Sequence, residues 1–152
     1  MAGAAGRLAT GAMTLGEAAK AVGIAVGILI LNIAATTAAV FVYALAIAPG
    51  HPAAFYHAAA PRIGAWSGPI GGAVLFFLAA AWFGGRRPDR NAVAFMLKAW
   101  LAYVALDVAS GAAMGDAGAM LSWGMALSMG LALLGAMAGA VIVRRRGPGA
   151  RA

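Results

Sequence analysis

The amino-acid sequence predicts an all-α integral membrane protein: an antiparallel bundle of four transmembrane helices, with a short interfacial segment between helices one and two. Hydrophobic residues make up 64% of the 152 positions and charged residues 10%, whereas a soluble domain is about half apolar and about a quarter charged. The apolar residues form four runs, three of them at least as long as the roughly 20 residues that a helix needs to cross a bilayer and the fourth interrupted by two charges. Basic residues flank these runs, as membrane topology requires.

The charge and composition exclude several function classes. The net charge of +7 does not predict a nucleic-acid partner, because a nucleic-acid surface spreads its basic residues over one polar face. The absence of cysteine excludes disulfides, thiolate metal sites and cysteine lipidation. The sequence contains no nucleotide-binding loop, metal motif or catalytic set, so we expect neither an enzyme nor a cofactor. The abundance of alanine and glycine favours a bacterial source.

The first span is predicted over residues 17–48, after a flexible tail at residues 1–13. Thr14 and Glu17 have the spacing of a capping box, which marks a helix start. Residues 21–48 contain no charge and are much longer than the apolar core of a signal peptide, which has about 7 to 15 residues. We therefore predict an uncleaved membrane anchor.

The second span is predicted over residues 63–83, after a proline and a glycine that end the first helix. Residues 51–62 are too short and too polar to cross a bilayer. Phe55 and Tyr56 within them are typical of the headgroup region, where aromatic side chains concentrate. We therefore expect a separate short helix at the membrane interface.

The third span is predicted over residues 91–111, with Asn91 as its cap. It follows the loop 84–90, which holds three arginines, a proline and two glycines. Because this loop is short, spans two and three are expected to form an antiparallel hairpin. Span three also carries Lys98, whose long side chain can extend to the headgroups.

The fourth span is predicted over residues 117–143, with Asp116 as a candidate cap and a flexible tail at residues 147–152. Four spans with both termini in the cytoplasm leave only Arg62 outside. Apart from Lys98 within span three, the other basic residues then lie on the cytoplasmic side: Arg7, Lys20, Arg86, Arg87, Arg90, Arg144, Arg145, Arg146 and Arg151. This agrees with the positive-inside rule and predicts a single domain, residues 1–152, in the bacterial cytoplasmic (inner) membrane.

Glycines recur every four residues in two predicted spans. Gly64, Gly68 and Gly72 lie in span two, and Gly135 and Gly139 in span four. Small residues at this spacing let membrane helices approach closely. The pattern predicts helix packing within the chain, with a seam between copies as the alternative.

Two polar residues mark the middle of span one. Asn32 and Thr36 are four residues apart and share one helical face. They are expected to hydrogen-bond to a neighbouring helix at about 0.6 kcal/mol per contact. A polar translocation path is the alternative.

Asp107 is the deepest carboxylate of the predicted bundle and needs a partner, because a charge within a span costs about 2.5 to 3.5 kcal/mol on insertion scales. Arg62 is the expected partner, in an ion pair near the outer surface. Antiparallel helices would bring further polar side chains to the same level. The candidate intramembrane polar site comprises Asp107, Arg62, Tyr43, Tyr103, Ser110 and Ser67.

His51 and His57 also lie on the predicted outer side. A metal site there is not expected, because the loop offers no acidic ligand.

Two function classes follow from these observations. The first is a non-catalytic packing, accessory or oligomerising protein, supported by the glycine- and alanine-rich helices and the minimal loops. Its partners are the lipid bilayer and a further copy or a larger membrane complex. The second is a small transporter or channel with an outward-facing polar pocket around Asp107 and Arg62.

Overall fold

Four long helices make up most of the chain that the structure describes. The computed structural model describes residues 15–86, 91–113, 115 and 122–145, with side chains described through residues 83 and 143 in the first and last long ranges. Within these residues all regular structure is helical. The helices are α1 (Leu15–Val42, extended by a π-helical turn at Tyr43–Ile47), α2 (Ala53–Arg86), α3 (Ala92–Ala113) and α4 (Trp123–Arg145).

The interfacial segment is not a separate helix, and this part of the prediction is wrong. Helix α2 begins at Ala53 and continues without a break through the predicted start of span two. Pro61 and Pro69 both lie inside it. Proline removes one backbone donor, but alanine-rich neighbours favour helix, and apolar helices tolerate proline where the freed backbone groups find other partners.

Side-chain caps fix two helix starts. Asn91 accepts a hydrogen bond from the Ala94 N–H through Oδ1 at 3.2 Å, which confirms it as the cap of α3. Ser122 does the same for α4, where its Oγ accepts from the Met125 N–H at 3.2 Å. Helix α4 therefore begins at Trp123. The other predicted caps, Thr14 and Asp116, and both predicted tails lie outside the described residues.

The turn between α1 and α2 is held by Tyr56. Its hydroxyl donates to the Ala48 carbonyl at 2.8 Å and accepts from the His51 N–H at 3.1 Å. Gly50 has a φ of 81°, a conformation that side-chain-bearing residues rarely adopt. The turn after α1 thus combines a glycine with a two-sided hydrogen bond from one tyrosine.

The order of the helices around the bundle is α1, α2, α4, α3. The most extensive contact joins α2 and α4, whereas α1 packs on α2 and α3, and α3 packs on α4. Helices α2 and α3 touch only slightly, and the antiparallel hairpin that their short loop favours stays a prediction. The glycines of α4 let this helix approach α2 closely. Helices α2 and α3, although consecutive in sequence, therefore lie diagonally across the bundle.

The core is narrow and rich in alanine, and many of the large apolar side chains face outward. Ala25, Ala80 and Ala136 are fully buried, around Phe76 and Met96. Other large residues are exposed, including Ile33 at 60%, Trp66 at 73% and Leu134 at 65%. Within the described ranges, four helices are long and apolar enough to cross a bilayer, and such outward apolar surfaces suit lipid as the surrounding solvent. These features indicate a multi-pass membrane protein.

Candidate functional site

The closest helix contact lies between α4 and α2 at two of the glycines predicted to pack. A Cβ at Gly135 would overlap the carbonyl oxygen of Ala73 and lie 2.9 Å from its carbonyl carbon. A Cβ at Gly139 would lie 2.7 Å from Ala80 Cβ and 2.5 Å from the Phe77 carbonyl oxygen. Two backbones thus meet with no side chain between them. In an apolar solvent such contact supplies the van der Waals attraction that holds helices together.

The predicted glycine triple of α2 is less uniform. A Cβ at Gly64 would touch Thr36 Cγ2 at 3.7 Å, and one at Gly72 would touch Asn32 and Ala132 at 3.8 and 3.9 Å. These are ordinary van der Waals distances. Gly68 has open space where its Cβ would be.

The sequence reasoning missed Gly71, where an added Cβ would lie 2.6 Å from Asn32 Oδ1. Gly71 is outside the four-residue glycine register. Only the polar residue opposite it, Asn32, could have drawn attention to this position.

A cluster of polar side chains joins α1, α2 and α3 near the middle of the bundle. Asn32 Nδ2 donates to Tyr103 Oη at 3.4 Å. One turn further along α1, Thr36 Oγ1 accepts from Ser67 Oγ at 3.3 Å. The predicted interhelical role of Asn32 and Thr36 therefore has identified partners, and two predicted site residues, Tyr103 and Ser67, are among them.

Tyr103 is the most enclosed member of this cluster. It is 3% exposed, and the Phe76 ring packs edge-to-face on it with centroids 5.2 Å apart. A tyrosine buried this deeply needs a partner for its hydroxyl, which Asn32 supplies. The rings of Phe76 and Tyr103 thus fill the centre of the bundle between α2 and α3.

Asn32 Oδ1 is buried and has no hydrogen-bond partner among the described residues. The hydrogen that Gly71 carries in place of a Cβ points at this oxygen, because the ideal Cβ position lies so close to it. Cα–H···O contacts of this kind recur at helix interfaces and are worth about 0.5 to 1 kcal/mol. Glycine at position 71 is thus what allows the amide to fit between the helices.

Asp107 lies one turn after Tyr103 on the same face of α3, half-buried. The predicted ion pair with Arg62 is absent: within the described part of the chain, no salt bridge joins the two residues, and Arg62 is exposed. Ser110 turns to its own helix instead, where its Oγ donates to the Asp107 backbone carbonyl at 2.9 Å. Arg62 lies on the exposed face of α2, next to Pro61. The prediction used only its depth along the helix, which does not show the direction in which the side chain points.

Tyr43 belongs to an aromatic cluster at the α1–α2 turn. Its ring stacks on Phe55 with centroids 6.4 Å apart, and His51 packs against the same Phe55 at 4.2 Å. Tyr56 meets Phe55 edge-on at 5.5 Å. His51 is therefore a packing partner of aromatic rings in this turn, and His57 is exposed.

A wide groove lies between α1, α2 and α3 at the other end of the bundle. Its volume is about 1180 Å³, and Lys20 is the one charged residue among the described residues that line it. The groove extends inward to Ile28, Leu31, Leu75 and Met96. Its inner end thus lies within a turn or two of the Asn32–Tyr103 pair.

The polar cluster offers hydrogen-bonding and packing groups between the helices. Among the described residues, no three His, Cys, Asp or Glu side chains are grouped so that they could hold a metal ion. Asn32, Thr36, Ser67 and Tyr103 bind one another across helices. No family model, curated protein or solved structure matches this chain.

Proposed function

We propose that the chain is a non-catalytic accessory protein of the bacterial inner membrane, which associates with itself or with a larger membrane complex. The observation that supports this best is the use of its polar side chains. Asn32, Thr36, Ser67 and Tyr103 are bonded between helices, so most of the interior polar groups serve packing. What remains for a partner is an extensive apolar exterior.

The proposal includes antiparallel threading of successive helices. Along α1 the contact of Asn32 with Gly71 is followed by that of Thr36 with Ser67, so residue numbers rise in one helix as they fall in the other. Along α4 they rise together with those of α2, because Ala132 lies near Gly72 and Gly139 near Phe77. These orders support a chain that crosses the membrane four times.

The topology can be tested with single cysteines, because the natural chain has none. We expect His57→Cys to react with a membrane-impermeant maleimide in intact spheroplasts. Ala152→Cys should react only after permeabilisation, as a cytoplasmic terminus would. Equal reactivity of the two variants in intact spheroplasts would refute the proposed orientation.

The association can be tested by the mass of the purified protein in a mild detergent. We expect a discrete assembly of more than one 15.1 kDa chain, or a stable complex with other membrane proteins, measured by light scattering with the detergent contribution subtracted. A monomer in several mild detergents, with no co-purifying protein, would contradict the proposal.

One observation favours the second function, a transporter or channel. The half-buried carboxylate of Asp107 has no hydrogen bond or ion pair with any other described side chain, and intramembrane carboxylates often mark ion pathways. A proton or ion flux in reconstituted liposomes that is lost in Asp107→Asn and retained in Arg62→Gln would establish this function. If the chain is a non-catalytic accessory protein instead, the natural protein and both variants should show no flux above that of empty liposomes.

A further inference from the structure

The groove between α1, α2 and α3 has walls contributed by all three helices. Helix α1 supplies one wall from Lys20 to Leu31, α2 supplies the second from Leu75 to Phe83, and the start of α3, from Ala92 to Met96, supplies the third. At about 1180 Å³ it is slightly larger than the usual ligand pocket, which has about 300 to 1,000 Å³. It therefore has room for a long apolar molecule.

The length of the groove matches one leaflet of a bilayer. Lys20 and Leu31 are eleven residues apart on α1, which corresponds to about 16 Å at about 1.5 Å per residue. The hydrocarbon core of a bilayer is about 30 Å thick. A molecule that enters at Lys20 and ends at Leu31 thus reaches about the middle of the membrane.

The chemistry of the walls changes along that length. Lys20 lies near the start of α1, is exposed and makes no ion pair with any other described side chain. Beyond it the walls are apolar, with Ile24, Ile28 and Leu75 on the two sides. A cation at one end and hydrocarbon along the rest is the complement of an acidic headgroup attached to an acyl chain.

We propose that this groove binds an anionic phospholipid of the surrounding leaflet, with one acyl chain along α1 and the phosphate at Lys20. Basic pockets between transmembrane helices are known to bind anionic headgroups. A helix from a second copy would fill the apolar part but would leave the Lys20 ammonium without a counterion. The inference rests on the proposed membrane location.

The test compares two lipids with identical acyl chains. Phosphatidylglycerol or phosphatidylcholine is added to the protein in a non-ionic detergent, and the apparent Kd is obtained from the rise in thermal stability with lipid concentration. We expect phosphatidylglycerol to bind about fivefold more tightly, the factor for one lysine near an anionic surface. Lys20→Gln should abolish that difference and leave the phosphatidylcholine affinity unchanged.

A second variant tests whether the chain lies in the groove. Gly27 lines the groove, and a Cβ there meets nothing within 4 Å, so we expect the leucine side chain of Gly27→Leu to extend into the groove. Its matched control is Gly130→Leu on α4, which also has open space and does not line the groove. We expect Gly27→Leu to raise the apparent Kd for both lipids at least tenfold. Gly130→Leu should bind both lipids as tightly as the natural protein does.

Equal affinities for the two lipids in the natural protein would overturn the inference, and so would selectivity that survives Lys20→Gln. If Gly27→Leu instead turns an assembly into monomers and no lipid selectivity exists, a second copy occupies the groove, and the inference is wrong. Extraction of membranes with alkaline carbonate distinguishes a failure of the lipid-site inference from a failure of the proposed membrane location. Release of the chain would refute the membrane location and both proposals, whereas retention without selectivity refutes the lipid site alone.

Discussion

Gly135→Ala is the change that most directly tests how the bundle is held together. The added methyl group would overlap the Ala73 carbonyl oxygen and lie 2.9 and 3.0 Å from two further backbone atoms of Ala73. These neighbours are backbone and cannot turn aside as a side chain can. Helices α2 and α4 would have to separate along their closest contact.

The size of the effect follows from two opposing contributions. Overpacking costs about 1 to 3 kcal/mol, and we expect the upper part of that range because the obstacle is backbone. Alanine is up to about 1 kcal/mol better than glycine within a helix. The free energy of unfolding should therefore fall by about 1 to 2 kcal/mol, which lowers the folded-to-unfolded ratio by about 5- to 30-fold.

The assay is reversible unfolding by sodium dodecyl sulfate in mixed micelles, followed by tryptophan fluorescence and circular dichroism. The matched control is Gly130→Ala, on the same helix, where an added Cβ has open space. Gly130→Ala should be as stable as the natural protein or slightly more stable. If Gly135→Ala and Gly130→Ala unfold at the same detergent fraction, the backbone contact does not hold α2 and α4 together, and the reasoning is refuted.

Three further predictions use the same unfolding measurement. Gly71→Ala should cost about 1 kcal/mol, since its Cβ would lie 2.6 Å from Asn32 Oδ1. That penalty should disappear in an Asn32→Ala background, and a penalty unchanged by Asn32→Ala would locate the clash elsewhere. Asp107→Asn and Arg62→Gln should each change the free energy of unfolding by less than about 0.5 kcal/mol, and their effects should add in the double variant, because no ion pair joins the two residues. Larger losses that do not add would mean that the ion pair exists. Tyr56→Phe should cost about 1 kcal/mol, since it removes two hydrogen bonds at the first turn, and an unchanged midpoint would mean that water replaces them.

The helices themselves were predictable because length and apolarity are properties of the sequence alone. The first span, predicted over residues 17–48, corresponds to Leu15–Ile47, and the third, predicted over 91–111, to Ala92–Ala113. Asn91 was recognisable as a cap because its side-chain chemistry acts locally. The start of α2 was not, because residues 51–62 are short and polar by themselves, whereas residues 53–62 belong to one continuous helix with the span.

The neighbours of each helix were harder to predict, because all four helices are apolar on every side. Hydrophobic periodicity shows which face of a helix meets a core only where the opposite face is polar. Gly135 and Gly139 did indicate a packed face, but the sequence did not identify the helix that they meet. The expected pairing of Arg62 with Asp107 failed for a related reason: depth in the membrane was estimated, and direction around the helix was not.

The groove could not be predicted, because it is a gap between helices and leaves no motif. Of its lining, Lys20 was noted only as a topology signal. Lys20 also lies at the mouth of an apolar space and makes no ion pair with any described side chain. Both facts depend on where α2 ends and α3 begins relative to α1.

The diagonal placement of α2 and α3 has a consequence for how the protein is made. The ribosome delivers the helices in sequence order, but the surface that fits α2 most closely belongs to α4, which emerges after the other three described helices. Until then the backbone of α2 at Ala73 and Phe77 has no glycine opposite it. The closest contact of the bundle therefore forms only after α4 has been made, and a nascent chain that stops before α4 lacks the surface that fits α2.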